Sequence, residues 1–213
     1  RILLIISGGI SSYKSLETAR QLQQRGADVT CVMTQSAKQF ITPLSFAALT
    51  GKKCYDNLFS LTDEAEMGHI QLARSANLVL VVPATANFIA RANAGIADDL
   101  ATTILLATNA KVAMAPAMNP SMWAHPATGN NIANLTQRGV HMIGPVSGDT
   151  ACGEEGKGRM SEPCDIADTA MMLINRNFVN NPPENCFNEN RPASVLVGKR
   201  VIITSGPTIE PID

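Results

Sequence analysis

One glycine-rich segment carries the side chains best suited to acid–base chemistry. Residues 150–160 read Thr-Ala-Cys-Gly-Glu-Glu-Gly-Lys-Gly-Arg-Met and place the Cys152 thiol among carboxylates and cations. Three glycines within six residues are poor for a helix or a strand, so this pattern predicts a mobile flap. A neighbouring cation at Lys157 or Arg159 favours the thiolate form of a cysteine. Cys152 is therefore a candidate reactive thiol, and a charged surface loop with an incidental cysteine is the alternative.

Two other segments contribute side chains of a catalytic type. Asn119 lies in the segment Pro116–Trp123, which follows a buried strand-like run. Its amide could cap a helix or bind a substrate carboxylate or carbonyl, and both interpretations stay open. His69 stands at the start of a predicted helix, where a structural role is the alternative to a catalytic one. No two of the three histidines lie one helical turn apart, so the sequence predicts no metal site.

Three polar loops follow predicted strands. Ser7–Ser12 contains two glycines, which let a backbone approach a ligand, and it opens a predicted helix, whose N-terminus attracts phosphate. The dinucleotide fingerprint G-x-G-x-x-G and the P-loop pattern are both absent, which argues against those two modes of binding. Pro83–Asn87 and Thr34–Ser36 end two further strands, and helix capping is the simpler account of each alone. Together, the three loops favour a phosphate-bearing ligand.

Short β-branched runs alternate with helical stretches along the first 143 residues. The runs are nearly continuous in apolar residues, which is typical of a parallel sheet covered on both faces. The sequence thus predicts an α/β fold with a doubly wound parallel sheet of the Rossmann-like, flavodoxin-like class. Ligands of such sheets bind beyond the carboxyl ends of the strands, so the loops near Ser7, Thr34, Pro83 and Pro116 should converge. The predicted strands are Ile2–Ser7, Asp28–Thr34, Leu78–Pro83, Val112–Pro116 and Val140–Ile143, and the predicted helices are Ser12–Arg25, Ala37–Leu49, His69–Ser75, Phe88–Ala94, Asp98–Ala107 and Ile132–Arg138.

Composition argues against several classes of partner. The 213 residues have a formal net charge of −1 and only 4% aromatics, so we expect neither a basic field nor stacking platforms for nucleic acid. The apolar runs are strand-sized, so no membrane span is expected. Five cysteines without a C-x-x-C pair predict neither a zinc site nor a disulfide framework. A reducing, cytoplasmic location is the expectation.

The composition changes after Met172. Seven asparagines lie between positions 175 and 190 together with Pro182 and Pro183, which predicts a linker over residues 176–198. Residues 199–213 then begin a new strand and a polar turn, and they are too few for a domain. We expect them to be the truncated start of a second domain that follows a first domain of residues 1–175.

In combination, these segments resemble the homo-oligomeric flavin-containing cysteine decarboxylases. The resemblance is strongest to the decarboxylase portion of the bifunctional enzymes of coenzyme A biosynthesis and covers about residues 1–175. The tail 203–213 resembles the start of the phosphopantothenate–cysteine ligase portion of those enzymes. The asparagine motif and the cysteine motif together are specific for this family, whereas the glycine turn alone is only a weak indication of it. The matching residues are Ser7–Lys14, His69, Pro83–Asn87, Pro116–Met122 and Ala151–Met160.

The resemblance implies a carboxy-lyase that uses flavin mononucleotide (FMN) to convert 4′-phosphopantothenoylcysteine to 4′-phosphopantetheine, in a trimer or dodecamer. It implies that His69 acts as a base or orients the leaving carboxylate, that Asn119 holds the substrate and that Cys152 donates a proton. The implied FMN contacts are Gly8, Gly9, Ile10, Ser11, Thr34, Ser36, Pro83, Ala84, Thr85 and Asn87, and the implied substrate contacts are Arg74, Asn119, Met122, Gly158, Arg159 and Met160.

Other flavoproteins of the same fold are the alternatives. A flavin prenyltransferase needs no thiol acid, so the cysteine segment argues against it. A peptidyl-cysteine decarboxylase is another enzyme of this class. A non-catalytic flavin-binding regulatory subunit often lacks a catalytic residue or carries an acidic tail, and neither feature is found in this sequence.

Overall fold

Six parallel strands form the central sheet. The computed structural model describes residues 1–58, 68–149 and 153–174, with the backbone alone at His69. The strand order is β3-β2-β1-β4-β5-β6, which is the order of a Rossmann fold, and the predicted doubly wound parallel sheet is confirmed. The strands are β1 (Ile2–Ile6), β2 (Val29–Met33), β3 (Cys54–Tyr55), β4 (Leu78–Ala84), β5 (Lys111–Pro116) and β6 (His141–Met142).

The two central strands, β1 and β4, are buried along their whole length. They pair with each other in the register Leu4↔Leu80, and successive side chains point to opposite faces of the sheet. Leu4 and Ile6 therefore pack into the core on one face, and Leu3 and Ile5 into the core on the other. Complete burial of each such side chain contributes about 1.5–3 kcal/mol, so these strands are the rigid centre that positions the loops at their ends.

Eight helices flank the sheet among the described residues, and four of them coincide with predicted ones to within two residues. The helix predicted over Ile132–Arg138 begins earlier, at Pro126, and the helices Pro120–Ala124 and Pro163–Ile174 were not predicted. The prediction of one helix over Ala37–Leu49 was wrong in its start. Thr42 precedes Pro43 and is extended, as a residue before proline must usually be, so a short 3₁₀ turn at Ala37–Gln39 is separated from the helix proper. The helices are α1 (Tyr13–Gln24), α2 (Pro43–Thr50), α3 (His69–Ser75), α4 (Ala86–Ala94), α5 (Leu100–Ala107), α6 (Pro120–Ala124), α7 (Pro126–Gln137) and α8 (Pro163–Ile174).

A β-hairpin follows the sheet. Strands β7 (Val146–Asp149) and β8 (Glu155–Arg159) pair antiparallel, so the prediction that the glycine-rich segment is unsuited to a strand was wrong for residues 155–159. The glycines there allow close packing. A Cβ at Gly156 would lie only 2.9 Å from the Cβ of Pro120, and its φ of +157° also favours glycine.

Two of the cysteines are buried in the sheet. Cys31 and Cys54 are register partners on β2 and β3, and both are free thiols. Burial raises the pKa of both, that of Cys54 to about 12.

Several sequence predictions lie outside the described residues, namely the linker 176–198, the start of a second domain at 199–213 and the position of Cys152. Within the described ranges, no helix is both long and apolar enough to cross a membrane. In the same part of the chain, no group of three or more His, Cys, Asp or Glu side chains could hold a metal ion.

Candidate functional site

A cavity of about 1230 Å³ lies at the carboxyl ends of the central strands. The loops after β1, β2, β4 and β5 all contribute to its wall, as the sheet topology requires. The hairpin strand β8 completes the wall from a distant part of the sequence. The predicted contact residues that line it are Gly8, Gly9, Ile10, Ser11, Thr34, Ser36, Pro83, Thr85, Asn87, Asn119, Met122, Gly158, Arg159 and Met160.

Buried hydroxyl groups tie the first loop to the end of β4. Ser7 Oγ donates a hydrogen bond of 2.7 Å to the carbonyl oxygen of Pro83. Ser15 Oγ donates one of 2.7 Å to that of Val82, and Ser12 Oγ lies 2.8 Å from the carbonyl oxygen of Ser7. All three serines are buried. Sequence reasoning did not assign them this role, although hydroxyl residues directly after an apolar strand are a signal for it.

The first loop also packs tightly against the loop after β2. A Cβ at Gly8 would lie 2.4 Å from Ser36 Cβ, so only glycine fits at this position. Thr34 Oγ1 accepts a hydrogen bond from the backbone N–H of Ala37, and Thr85 Oγ1 accepts one from that of Phe88. Thr85 is the N-cap of α4, so the capping interpretation is correct for that residue. The 3₁₀ turn Ala37–Gln39 has Ser36 as its N-cap and no side-chain cap, so that interpretation is wrong for Thr34 and Ser36. All three residues line the cavity.

Asn119 is held at both ends of its amide. Its Oδ1 accepts hydrogen bonds from the backbone N–H groups of Ser121 (2.7 Å) and Met122 (3.3 Å), which caps α6. Its Nδ2 donates a hydrogen bond of 2.6 Å to Glu154 Oε2. Asn119 thus caps a helix, as one of the two interpretations predicted, while it also lines the cavity.

The hairpin packs against the segment that carries Asn119. The N–H of Met118 donates a hydrogen bond of 3.0 Å to the carbonyl oxygen of Gly158. A Cβ at Gly158 would lie 2.4 Å from Met118 O, so this approach depends on glycine. Lys157 Nζ lies 5.6 Å from the centroid of the Trp123 ring, within the range of a cation–π interaction. These contacts bring residues 158–160 to the cavity wall.

Two groups of charged side chains border the cavity. Glu162 pairs with Lys14 Nζ (3.0 Å) and with Arg159 Nη2 (2.6 Å). Burial alone raises the pKa of Glu162, but the hydrogen bonds and charges of Lys14 and Arg159 outweigh it and lower that pKa. In the second group, Arg91 pairs with Asp98 and, at 3.0 Å, with Asp99.

In the second group, the pKa of Arg91 is raised. Burial alone lowers the pKa of Arg91, and its hydrogen bonds to Asp98 and Asp99 more than reverse this. Lys14, Arg91, Asp98 and Asp99 line the cavity and were not predicted as site residues. Their ion pairs join residues from different elements, so local sequence patterns gave no signal for them.

Four predicted residues are not among the described lining. Ala84 is fully buried at the end of β4. Arg74 is exposed and lines a separate hollow with Asn77 and Lys111, at the amino ends of β4 and β5. His69 begins α3, but its side chain lies outside the described part, as does Cys152. The assigned roles of these residues stay predictions.

The lining fits a flavin nucleotide. The cavity exceeds the 300–1,000 Å³ that is usual for a single small ligand, so a cofactor and a substrate can bind together. The glycine loop ends at the N-terminus of α1, where backbone N–H groups attract a phosphate. Ser11, Ser36 and Thr85 add hydroxyl groups to the same wall, and Lys14 adds a cation.

Comparisons with known proteins agree with this geometry. The chain is 48% identical over 213 residues to the coenzyme A biosynthesis bifunctional protein CoaBC of Vibrio cholerae and 45% identical to that of Escherichia coli. Both alignments cover the whole chain, which spans about half the length of these relatives (49% and 48%).

Solved structures share the fold. One is a variant PPC decarboxylase complexed with pantothenoylaminoethenethiol, with a TM-score of 0.71 and 28% identity over 81% of this chain and 97% of that one. Another is the FMN binding protein AtHal3, with a TM-score of 0.68 and 29% identity over 81% and 95% of the two chains. The model of the family described as flavoprotein matches residues 1–175. The chain therefore belongs to the flavoprotein family and uses a flavin cofactor.

Proposed function

We propose that this chain catalyses the FMN-dependent decarboxylation of 4′-phosphopantothenoylcysteine to 4′-phosphopantetheine in the cytoplasm. It is then the decarboxylase part of a longer bifunctional enzyme that also ligates cysteine to 4′-phosphopantothenate. One observation carries this proposal: the glycine loop, Asn119 and the hairpin strand β8, which follows Cys152 in sequence, contribute to one cavity. The names of the bifunctional relatives and of the PPC decarboxylase structure support it.

The reaction needs an acceptor for the electrons that the departing carboxylate leaves behind, and no side chain supplies one. When bound, FMN supplies a reversible two-electron oxidation of the substrate thiol, which makes the neighbouring carboxylate a good leaving group. The protein's contribution is to hold the cofactor and to orient the substrate against it. We assign the first task to Gly8–Ser11, to Thr34 and Ser36, and to the loop Pro83–Asn87, because these segments line one side of the cavity.

The residues around Asn119 orient the substrate in this proposal. The Asn119 amide holds the substrate carboxylate or its neighbouring amide, and hydrogen bonds to the start of α6 fix the side chain for that task. Met122, which is 48% exposed, and the buried Met160 supply apolar contacts. Arg159 supplies a cation for an anionic group of the substrate. His69 acts as a base or orients the carboxylate as it leaves.

Cys152 serves the last step of the proposed reaction. Loss of carbon dioxide leaves an oxidised aminoethenethiol, which must gain a proton and a hydride equivalent to become the product. The Cys152 thiol donates the proton to the carbon that lost the carboxylate, and solvent then reprotonates the thiolate. The hydride equivalent is the electron pair removed in the first step, so the overall reaction is redox-neutral.

A Cys152→Ser variant tests this assignment. In aerated buffer, where dioxygen can reoxidise the flavin, we expect carbon dioxide release to continue while the oxidised aminoethenethiol accumulates in place of 4′-phosphopantetheine, because only the proton donor is removed. Carbon dioxide trapping and mass spectrometry of the products measure both. Cys54→Ala is the matched control, since it removes a buried thiol that does not line the cavity. An unchanged yield of 4′-phosphopantetheine from Cys152→Ser would rule out Cys152 as the acid.

The proposal extends to assembly as a homotrimer or a dodecamer. Two large apolar side chains beside the cavity, Ile10 and Tyr13, are 58% and 60% exposed in the single chain. A neighbouring subunit at this edge would cover them and help to close the flavin site. Sedimentation velocity of the FMN-loaded protein measures the assembly directly, and a monomer would contradict it.

A further inference from the structure

The hydrogen bonds of Asn119 determine which end of its amide faces which neighbour. The Oδ1 atom accepts from two backbone N–H groups at the start of α6. The Nδ2 group donates to Glu154 Oε2 over 2.6 Å. An ionised carboxylate has no hydrogen to donate, so it can pair only with the nitrogen end of an amide. A flipped amide would place its oxygen against the carboxylate and its NH₂ group against backbone N–H groups, and both contacts would be repulsive.

Glu154 acts from outside the cavity. It is exposed, lies just before β8, and is not part of the described cavity lining, whereas Asn119 is part of it. The surrounding packing keeps this part of the hairpin close to Asn119. The Met118–Gly158 hydrogen bond and the contact between Gly156 and Pro120 both join the hairpin to the segment that contains Asn119.

We propose that Glu154 is a positioning residue that fixes the amide of Asn119 in the orientation that recognises the substrate carboxylate. This inference rests on the proposed decarboxylase function. A carboxylate substrate needs a donor from Asn119, and Glu154 together with the cap of α6 keeps the Nδ2 end turned away from the helix. Glu154 acts through Asn119 and needs no contact with the substrate. Its effect should therefore fall on carbon dioxide release itself, before the step assigned to Cys152.

The test compares three variants of the FMN-loaded chain with 4′-phosphopantothenoylcysteine as substrate. Glu154→Ala removes the acceptor, and we expect kcat/KM for carbon dioxide release to fall about tenfold, as is typical for loss of a hydrogen bond to a charged group. Glu154→Gln keeps an oxygen acceptor and should stay within about threefold of the unmodified chain, because neutral hydrogen bonds are weaker but retain the geometry. Glu155→Ala removes the neighbouring exposed carboxylate and should leave kcat/KM unchanged.

The product ratio separates this role from a general loosening of the hairpin. If Glu154 positions Asn119, carbon dioxide and 4′-phosphopantetheine fall together in Glu154→Ala, with FMN content and thermal midpoint kept. Unchanged carbon dioxide release, accumulation of the aminoethenethiol, or a Glu154→Gln variant as impaired as Glu154→Ala would each overturn the inference. If the unmodified holoenzyme releases no carbon dioxide, the proposed function fails and this inference fails with it.

Discussion

The Gly8→Ala substitution probes the flavin loops through a single added methyl group. That Cβ would lie 2.4 Å from Ser36 Cβ, 2.6 Å from Ser36 C and 2.8 Å from Ser36 O. Carbon atoms pack at about 3.5–4.0 Å, so the two loops must separate by roughly 1 Å. Rotation of the Ser36 side chain cannot relieve the contact, because backbone atoms form part of it. Overpacking of this kind costs about 1–3 kcal/mol, which corresponds to FMN binding weakened about 5- to 150-fold if the loops spread.

Titration of the apoprotein with FMN, followed by flavin fluorescence, measures this effect. Gly129→Ala is the matched control, because its Cβ meets no atom within 4 Å and lies in helix α7. We expect FMN affinity in that variant to equal that of the unmodified chain. Combining Gly8→Ala with Ser36→Gly should restore affinity only in part, since the contacts with the Ser36 backbone remain. Equal FMN affinity in Gly8→Ala and Gly129→Ala would refute the packing described between the two loops.

Two further predictions concern the hairpin and its charges. Gly158→Ala places a Cβ 2.4 Å from Met118 O, so turnover should fall at least about tenfold with FMN still bound. Gly139→Ala is the control, because it also replaces a glycine of positive φ but has open space around its Cβ, and equal turnover in both variants would contradict this packing. The pKa of Glu162 is depressed below 4.5, so its stabilising contribution is complete above that pH and disappears as pH falls through the folded-state pKa. The urea midpoint should therefore exceed that of Glu162→Gln near neutral pH, and the difference should shrink as the pH falls below 4.5 and through the folded-state pKa. A difference that stays constant with pH would contradict the pairing with Lys14.

Much of the sheet could be predicted because its central strands are buried on both faces. Continuous apolar runs such as Ile2–Ile6 and Leu78–Ala84 permit few alternatives. The two-residue strand Cys54–Tyr55 is too short to produce a pattern. Strand Glu155–Arg159 has the composition of a loop, and it forms because its glycines fit against the Met118–Pro120 backbone and side chains. Such tertiary packing leaves no periodic signal.

The site was predictable to the extent that topology dictates it. Loops that follow parallel strands must meet at the carboxyl edge, and Ser7, Thr34 and Pro83 do so. Gly8 lines the cavity and has a further role that local patterns did not indicate, because its missing side chain makes room for Ser36. The partnership of Asn119 with Glu154 depends on the position of the hairpin, which local patterns did not reveal.

The central claim is that this chain, loaded with FMN, decarboxylates 4′-phosphopantothenoylcysteine. The most direct test incubates the purified yellow protein with this substrate and quantifies carbon dioxide and 4′-phosphopantetheine over time. The account predicts that both products appear in equal amounts over many turnovers and that removal of FMN abolishes them. A chain that binds FMN in full stoichiometry yet releases no carbon dioxide from this substrate would contradict it.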